Sequence, residues 1–264
     1  MARTLNPLAV WGLLKEAKAA VADARPLLVS GPGAEELARE LARGGEPAAV
    51  RTSGRVEEAA ALVRVLSGAA TEEDERDLRA ANRARVPIVV VQTKGVGEGE
   101  IPYVLPTDVV HARPGESLPL DEIARRLAGR LGEAGTALAA RLPALRDAVC
   151  DELIDDFSRK NGILGAAIFV PGADLPVLTL NQLRLVLRLA SAYGVDVDQS
   201  RAPEILATIG AGLGLRTIAR QLLGVVPVAG WAVKGAIAYG GTRALGETAK
   251  RYFASVSSPA GSLP

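Results

Sequence analysis

The sequence predicts an α/β domain with a mostly parallel sheet, followed by an all-α, apolar helical-hairpin domain. Three observations carry this expectation. From residue 25 to 135, short continuous apolar runs alternate with amphipathic stretches, the pattern of buried parallel strands joined by helices. From residue 140 to 254 the apolar residues recur at helical spacing. Within that second half, Ile163 to Gln182 and Leu222 to Thr242 are apolar almost throughout, yet Pro171-Gly172 and Pro176 break the first and Pro227 the second.

A chain of 264 residues exceeds the ~100–200 of a typical domain, so two domains are expected. Aromatic residues make up only 3%, so the core must come from Ala, Leu, Val, Ile and Gly. Net charge is +1 with both signs interspersed, which leaves no electrostatic footprint for nucleic acid. Cys150 is the only cysteine, which excludes an intrachain disulfide and a cysteine zinc site and suits a cytoplasmic setting. His111 is the only histidine, so paired-histidine metal sites are excluded. Any Ser-His-Asp triad would pass through His111, and no nucleophile motif points to it; a strand or loop histidine is the expectation.

Residues 1–24 read as an amphipathic helix, capped by Asn6 with Pro7 at its first position. Leu8, Trp11, Leu14 and Val21 mark its apolar side. The run Leu8 to Leu14 is short and leads into Lys15-Glu16-Ala17-Lys18, unlike a secretory signal. The helix is expected to dock on the first domain, with Trp11 the one feature that favours a surface anchor instead.

In the first domain, Pro26 to Ser30 is a buried-strand pattern, Gly31-Pro32-Gly33 a turn and Ala34 to Leu41 an amphipathic helix. Pro47 to Thr52 and Ala61 to Leu66 read as strands with a short helix between them. Thr71-Glu72-Glu73-Asp74 has the form of a capping box and opens a helix to about Arg85. Pro87 to Gln92 is the cleanest buried strand; a strand near Val109 and a helix from Leu120 to Leu131 complete the domain.

The turn at Gly31-Pro32-Gly33 and the strand tail Val91-Gln92-Thr93-Lys94-Gly95 resemble an Era-type P-loop GTPase domain in degenerate form. Gly31, Gly33, Thr93 and Lys94 are the vestigial nucleotide-binding positions that the resemblance implies. A working phosphate loop, G-x-x-x-x-G-K-[ST], needs a lysine on the phosphate oxygens and a hydroxyl on magnesium. Counting from Gly31, its last three places hold Glu36, Leu37 and Ala38. The base-reading motif [NT]-K-x-D keeps Thr93 and Lys94 but has Val96 at the aspartate, and no D-x-x-G follows a strand where one is expected. Such a domain is read as a scaffold without nucleotide hydrolysis.

In the second domain, Leu145, Val149, Leu153 and Phe157 form one apolar stripe of a helix whose other side carries Asp147, Asp151, Glu152, Asp155 and Asp156. Carboxylates on a regular helix do not converge as a hard cation requires, so a solvated face is expected. Lys160-Asn161-Gly162 reads as the end of that helix. Proline breaks make helical hairpins more natural than straight spanning helices in the two apolar stretches. Pro171, Gly172, Asp174, Pro227, Gly230 and Lys234 are the candidate hairpin residues. Asp174 either caps the next helix or pairs with Lys234 across the two segments. From Pro176 a helix is expected to Tyr193-Gly194, with Asn181, Arg184, Arg188 and Ser191 as its polar stripe; two arginines one turn apart argue against hydrocarbon there. A last helix has Arg243, Glu247 and Arg251 on its wet side, with Glu247 and Arg251 spaced for a pair. Residues 255–264 are expected to be a disordered tail.

The runs Val170 to Gln182, Ala190 to Gly194, Val226 to Gly230 and Thr242 to Phe253 resemble the uncharacterised bacterial family of GTPase-associated domains typified by YcjF-like proteins. That resemblance implies a helical, apolar, often membrane-assigned domain, fused to or partnered with Era-type GTPases, with no catalytic residue to carry over. The expected function is therefore a non-catalytic module at the cytoplasmic membrane, most of its mass on the cytoplasmic side. A pseudo-GTPase-like domain would serve protein interaction. The expected partners are the membrane and a GTPase or other protein, with a homo-oligomer open; no cofactor, metal or nucleic acid is assigned. The alternatives are a soluble helical assembly or regulatory domain in the cytoplasm, and a nucleotide-binding GTPase-like enzyme.

Overall fold

The computed structural model describes residues 7–93, 101–113, 116–167, 175–195 and 231–257. The chain divides into two compact units, one of residues 21–149 and one of residues 1–20 with 150–264. The division falls inside a helix.

The first unit is a five-stranded, wholly parallel sheet. Its strands are β1 (Leu27–Ser30), β2 (Val50–Arg51), β3 (Ala61–Leu66), β4 (Ile88–Gln92) and β5 (Val109–His111), in the spatial order β2-β1-β3-β4-β5. Every residue of β3 and β4 is buried, which explains why both read as mainly apolar runs, with Arg64 and Gln92 the polar exceptions. Leu28, Leu62, Ile88 and Val90 point to one face and pack with Leu78 and Ala81 of α3 (Glu72–Ala84). Val29, Val63, Val89 and Val91 are equally buried on the other. There α2 (Ala34–Leu41) lies on β1 and α4 (Leu120–Leu131) on β4. Only Val50–Arg51 of the expected Pro47 to Thr52 strand pairs, because Pro47 opens a 3-10 turn, Pro47–Ala49. The expected short helix before β3 is another 3-10 turn, Val56–Glu58. The capping box is present: Thr71 Oγ1 accepts from the Asp74 amide, and Asp74 accepts from the Thr71 amide at 2.7 Å. Then α5 (Ala134–Arg141) is followed, after Leu142, by α6 (Pro143–Ala167).

In the second unit α6 continues as a neighbour of α7 (Leu175–Ala192) and α8 (Trp231–Ser257), together with α1 (Pro7–Ala20). Pro176 sits in the first turn of α7, where the missing amide hydrogen is tolerated. Two expectations are corrected here. The N-terminal helix is part of the helical unit and packs on α7; Glu16 bonds Arg184 at 3.0 Å and lies 3.9 Å from Arg188. An amphipathic pattern shows that a helix docks but not on what. Lys160-Asn161-Gly162 does not end α6, which runs on to Ala167. Asn161 is fully buried and donates to Thr242 Oγ1 at 2.8 Å, and Gly162 lies against Tyr239 and the Gly235 carbonyl. Tertiary packing overrides a local stop signal.

Candidate functional site

Open α/β sheets take ligands beyond the carboxyl ends of their strands, where the strand order reverses. In this sheet that place lies between β1 and β3, past Ser30 and Leu66. Gly31 follows Ser30 with φ 100, and a Cβ on it would stand 2.1 Å from the Val65 carbonyl oxygen. Glycine is required there both by its left-handed backbone and by the pressure of the turn on β3. Gly33, φ 79, is the N-cap of α2 and supplies no side-chain cap. Exposed Glu35 and Glu36 occupy the first turn, and Leu37 and Ala38 point into the core. At the places where a phosphate loop keeps its lysine and hydroxyl, this chain has buried aliphatic groups. Thr93 gives both its amide (2.9 Å) and its hydroxyl (3.2 Å) to the Leu66 carbonyl, so its polar groups tie β4 to β3. Lys94 lies outside the described residues.

The cation at this edge comes from a residue that motif reading passed over. Arg64, in the middle of β3, is almost wholly buried. Its Nε donates to Asp74 Oδ1 at 2.7 Å, and its Nη1 donates to Asp77 Oδ2 at 2.5 Å and to Ser30 Oγ at 3.0 Å. A guanidinium fork of this kind is the usual clamp for a carboxylate or phosphate. Here two carboxylates of α3 hold it from within. Burial raises the Asp74 carboxyl, but the bonds from Thr71 and from Arg64 outweigh that and hold it below the usual carboxylate value. The available signal was a lone arginine inside an apolar strand, which must find a buried acid.

His111 ends β5, exposed, its backbone in register with Gln92. Cys150 is a buried thiol of α6. Among the described residues, no group of His, Cys, Asp and Glu is placed to hold a metal ion.

In the helical unit, α6 and α8 run antiparallel. Asp151 bonds Lys250 at 2.6 Å, Asp155 bonds Arg243, and further along Gly165 and Gly235 bring the two backbones together. The acidic face of α6 is thus not simply solvated: it supplies half of the ion pairs to α8. Glu247 lies 3.9 Å from Arg243, not in the expected pair with Arg251. A buried polar layer crosses the helices, with Asn181 donating to Asn161 at 3.0 Å and Gln182 to Thr242 at 3.3 Å. Beyond that layer the exposed surface changes character. Toward one end it shows Asp151, Arg243 and Arg251, with Val256 beyond them; toward the other it shows Ile163 (69% exposed), Val233 (46%), Ile237 and Val177, with Lys160 beside Ile163. Along α8 alone, one stripe reads exposed Val233, Ile237 and Gly240 and then exposed Arg243, half-buried Glu247 and exposed Arg251. The apolar end is where the chain enters the proline-broken segments. Of the hairpin candidates, Lys234 is described, half-buried in the first turn of α8. Pro171, Gly172, Asp174, Pro227 and Gly230 lie outside the described residues, as do residues 258–264 of the expected tail. No helix among the described residues is long and apolar enough to cross a membrane.

No protein-family model, no characterised protein and no solved structure matches this chain.

Proposed function

We propose that the protein is a non-catalytic module that works at the cytoplasmic face of a membrane. Its helical unit meets the lipid with its apolar end, and its α/β unit is a pseudo-GTPase-like scaffold that engages a protein partner. The observation that carries this reading is the change from ion-paired to aliphatic surface along α6 and α8, at the end bordering the two apolar stretches. Burial of aliphatic side chains contributes roughly 25 cal/mol per Å² of apolar surface, so a few such residues suffice for reversible attachment. The inward-facing Leu37 and Ala38 and the internally occupied Arg64 support the non-catalytic half of the reading.

Flotation of the full chain on lipid vesicles tests it. Wild type should rise with the vesicles, and Ile163→Asp with Ile237→Asp should lower the bound fraction at least tenfold without unfolding the chain. Wild type left entirely in the aqueous fraction would overturn the proposal and favour the second reading, a soluble assembly domain. That alternative draws on the close glycine seam between α6 and α8. Heat on titration with GTP and magnesium would instead restore the enzyme reading.

A further inference from the structure

We propose that the α/β unit carries a binding site for an organic phosphate at the amino-terminal edge of its sheet, away from the strand ends considered above. A cleft of about 310 Å³ opens there beside the start of β4. Its polar lining is Asn82 and Arg85 from the end of α3, Tyr103 and Asp108 from the connection to β5, and Arg130 from α4.

Two features distinguish this cleft from an ordinary surface groove. Arg85 (φ 55) and Tyr103 (φ 66) are the non-glycine residues with left-handed backbone among those described, and both line it. At Arg85 this is the left-handed cap that closes α3, its amide reaching the Ala81 carbonyl; at Tyr103, which caps no helix, such backbone costs on the order of 1 kcal/mol or more and tends to persist where a side chain must be aimed. Tyr103 follows Pro102 in a turn closed by the Val104 amide on the Ile101 carbonyl, a place that turns of this kind give to glycine or asparagine. Its phenol oxygen accepts from Arg79 Nε at 3.3 Å, which leaves the hydroxyl proton available to donate. The second feature is charge. Arg130 is tied by one nitrogen to the buried Asp108, which fixes the fork and offsets one positive charge. Arg85 is exposed with no carboxylate partner among the described residues, and it supplies the net charge of the lining. Two guanidiniums, a phenol and a primary amide are donors in excess of what one carboxylate can accept, and they match the oxygens of a phosphate. The cleft is larger than inorganic phosphate, so room remains for an organic substituent beside Tyr103.

Phosphate of this kind reaches a protein either as a free metabolite or as a lipid headgroup. The test uses calorimetric titration of the full chain with inorganic phosphate and with glycerol 3-phosphate, and flotation on phosphatidylcholine vesicles with and without phosphatidic acid. The expected result is saturable binding that Arg85→Ala weakens at least tenfold. Tyr103→Gly should weaken it by a similar factor while raising Tm, because the strain is removed together with the contact. Binding of glycerol 3-phosphate assigns the site to free ligands. Dependence on phosphatidic acid alone, lost in Arg85→Ala, assigns it to headgroups. No saturable binding in either arm, or binding that Arg85→Ala and Tyr103→Gly leave unchanged, overturns the proposal. Attachment to pure phosphatidylcholine reports on the helical unit, so the two proposals fail separately.

Discussion

Arg64 shows how one side chain decides the chemistry of an edge. It sits in a strand with no exposed residue, and its fork is satisfied by Asp74, Asp77 and Ser30. Removing one partner of a buried ion pair leaves an uncompensated charge, at a cost of roughly 3–5 kcal/mol. Arg64→Leu should therefore lower the urea-unfolding free energy by about that much, and adding Asp74→Leu should recover only part of the loss, because Asp74 also closes the capping box with Thr71 and Asp77 stays unpaired. The pair also sets an acid limit. Asp74 titrates below its ordinary value of 3.8 in the folded chain, so its contribution to stability is complete above that value. The contribution is lost as pH falls through the lower folded value. In Arg64→Leu the carboxyl loses its guanidinium, and the midpoint of acid unfolding, followed by circular dichroism, should move to higher pH.

Among the elements, the seam between α6 and α8 is sensitive to a single atom. A Cβ on Gly235 would stand 2.9 Å from the Gly162 carbonyl oxygen and 3.1 Å from Ala166 Cβ, while one on Gly240 would meet nothing within 4 Å. Alanine in place of glycine gains up to about 1 kcal/mol within a helix. Gly240→Ala should therefore raise Tm. Gly235→Ala should lower it, because overpacking at this seam costs ~1–3 kcal/mol and exceeds the gain. Equal shifts in the two variants would show that the helices do not meet this closely. The same contact accounts for the continuation of α6 past Asn161-Gly162. Read locally, those residues are a stop; inside the unit they are an interhelical hydrogen bond and a close approach.

For the whole molecule, the division into units assigns the N-terminal helix to the helices of the second half. Deleting residues 1–20 removes Glu16 from Arg184 and uncovers the face of α7 that α1 covers. Amide hydrogen exchange should then rise in α7 and stay unchanged in β3 and β4. Faster exchange in the sheet instead would place the helix in the wrong unit. The runs 190–194 and 242–253 of the second half, with Gln182, also gain a physical meaning at this scale. Gln182 and Thr242 meet in the polar layer, Arg243 and Lys250 hold the acids of α6, and Phe253 packs near Tyr193 with ring centres 6.4 Å apart. They are the residues that hold the helices to one another.

The amino-acid order by itself determined β1, β3, β4 and α2 to α4 of the α/β unit, its parallel class and the capping box of α3, but not the extent of β2 nor α5. Those follow from periodicity and from side chains acting within a few residues of each other, as at Thr71 and Asp74. It also showed that no lysine stands where a phosphate loop counted from Gly31 would need one, since an absent residue type needs no geometry. Only the tertiary structure decided that Arg64 is clamped from within, that α1 lies on α7, that Gly162 continues a helix, and that Arg85, Tyr103 and Arg130 share a cleft. Each of these joins residues far apart in the chain, and a pattern of polar and apolar positions states that a face is covered without stating by what.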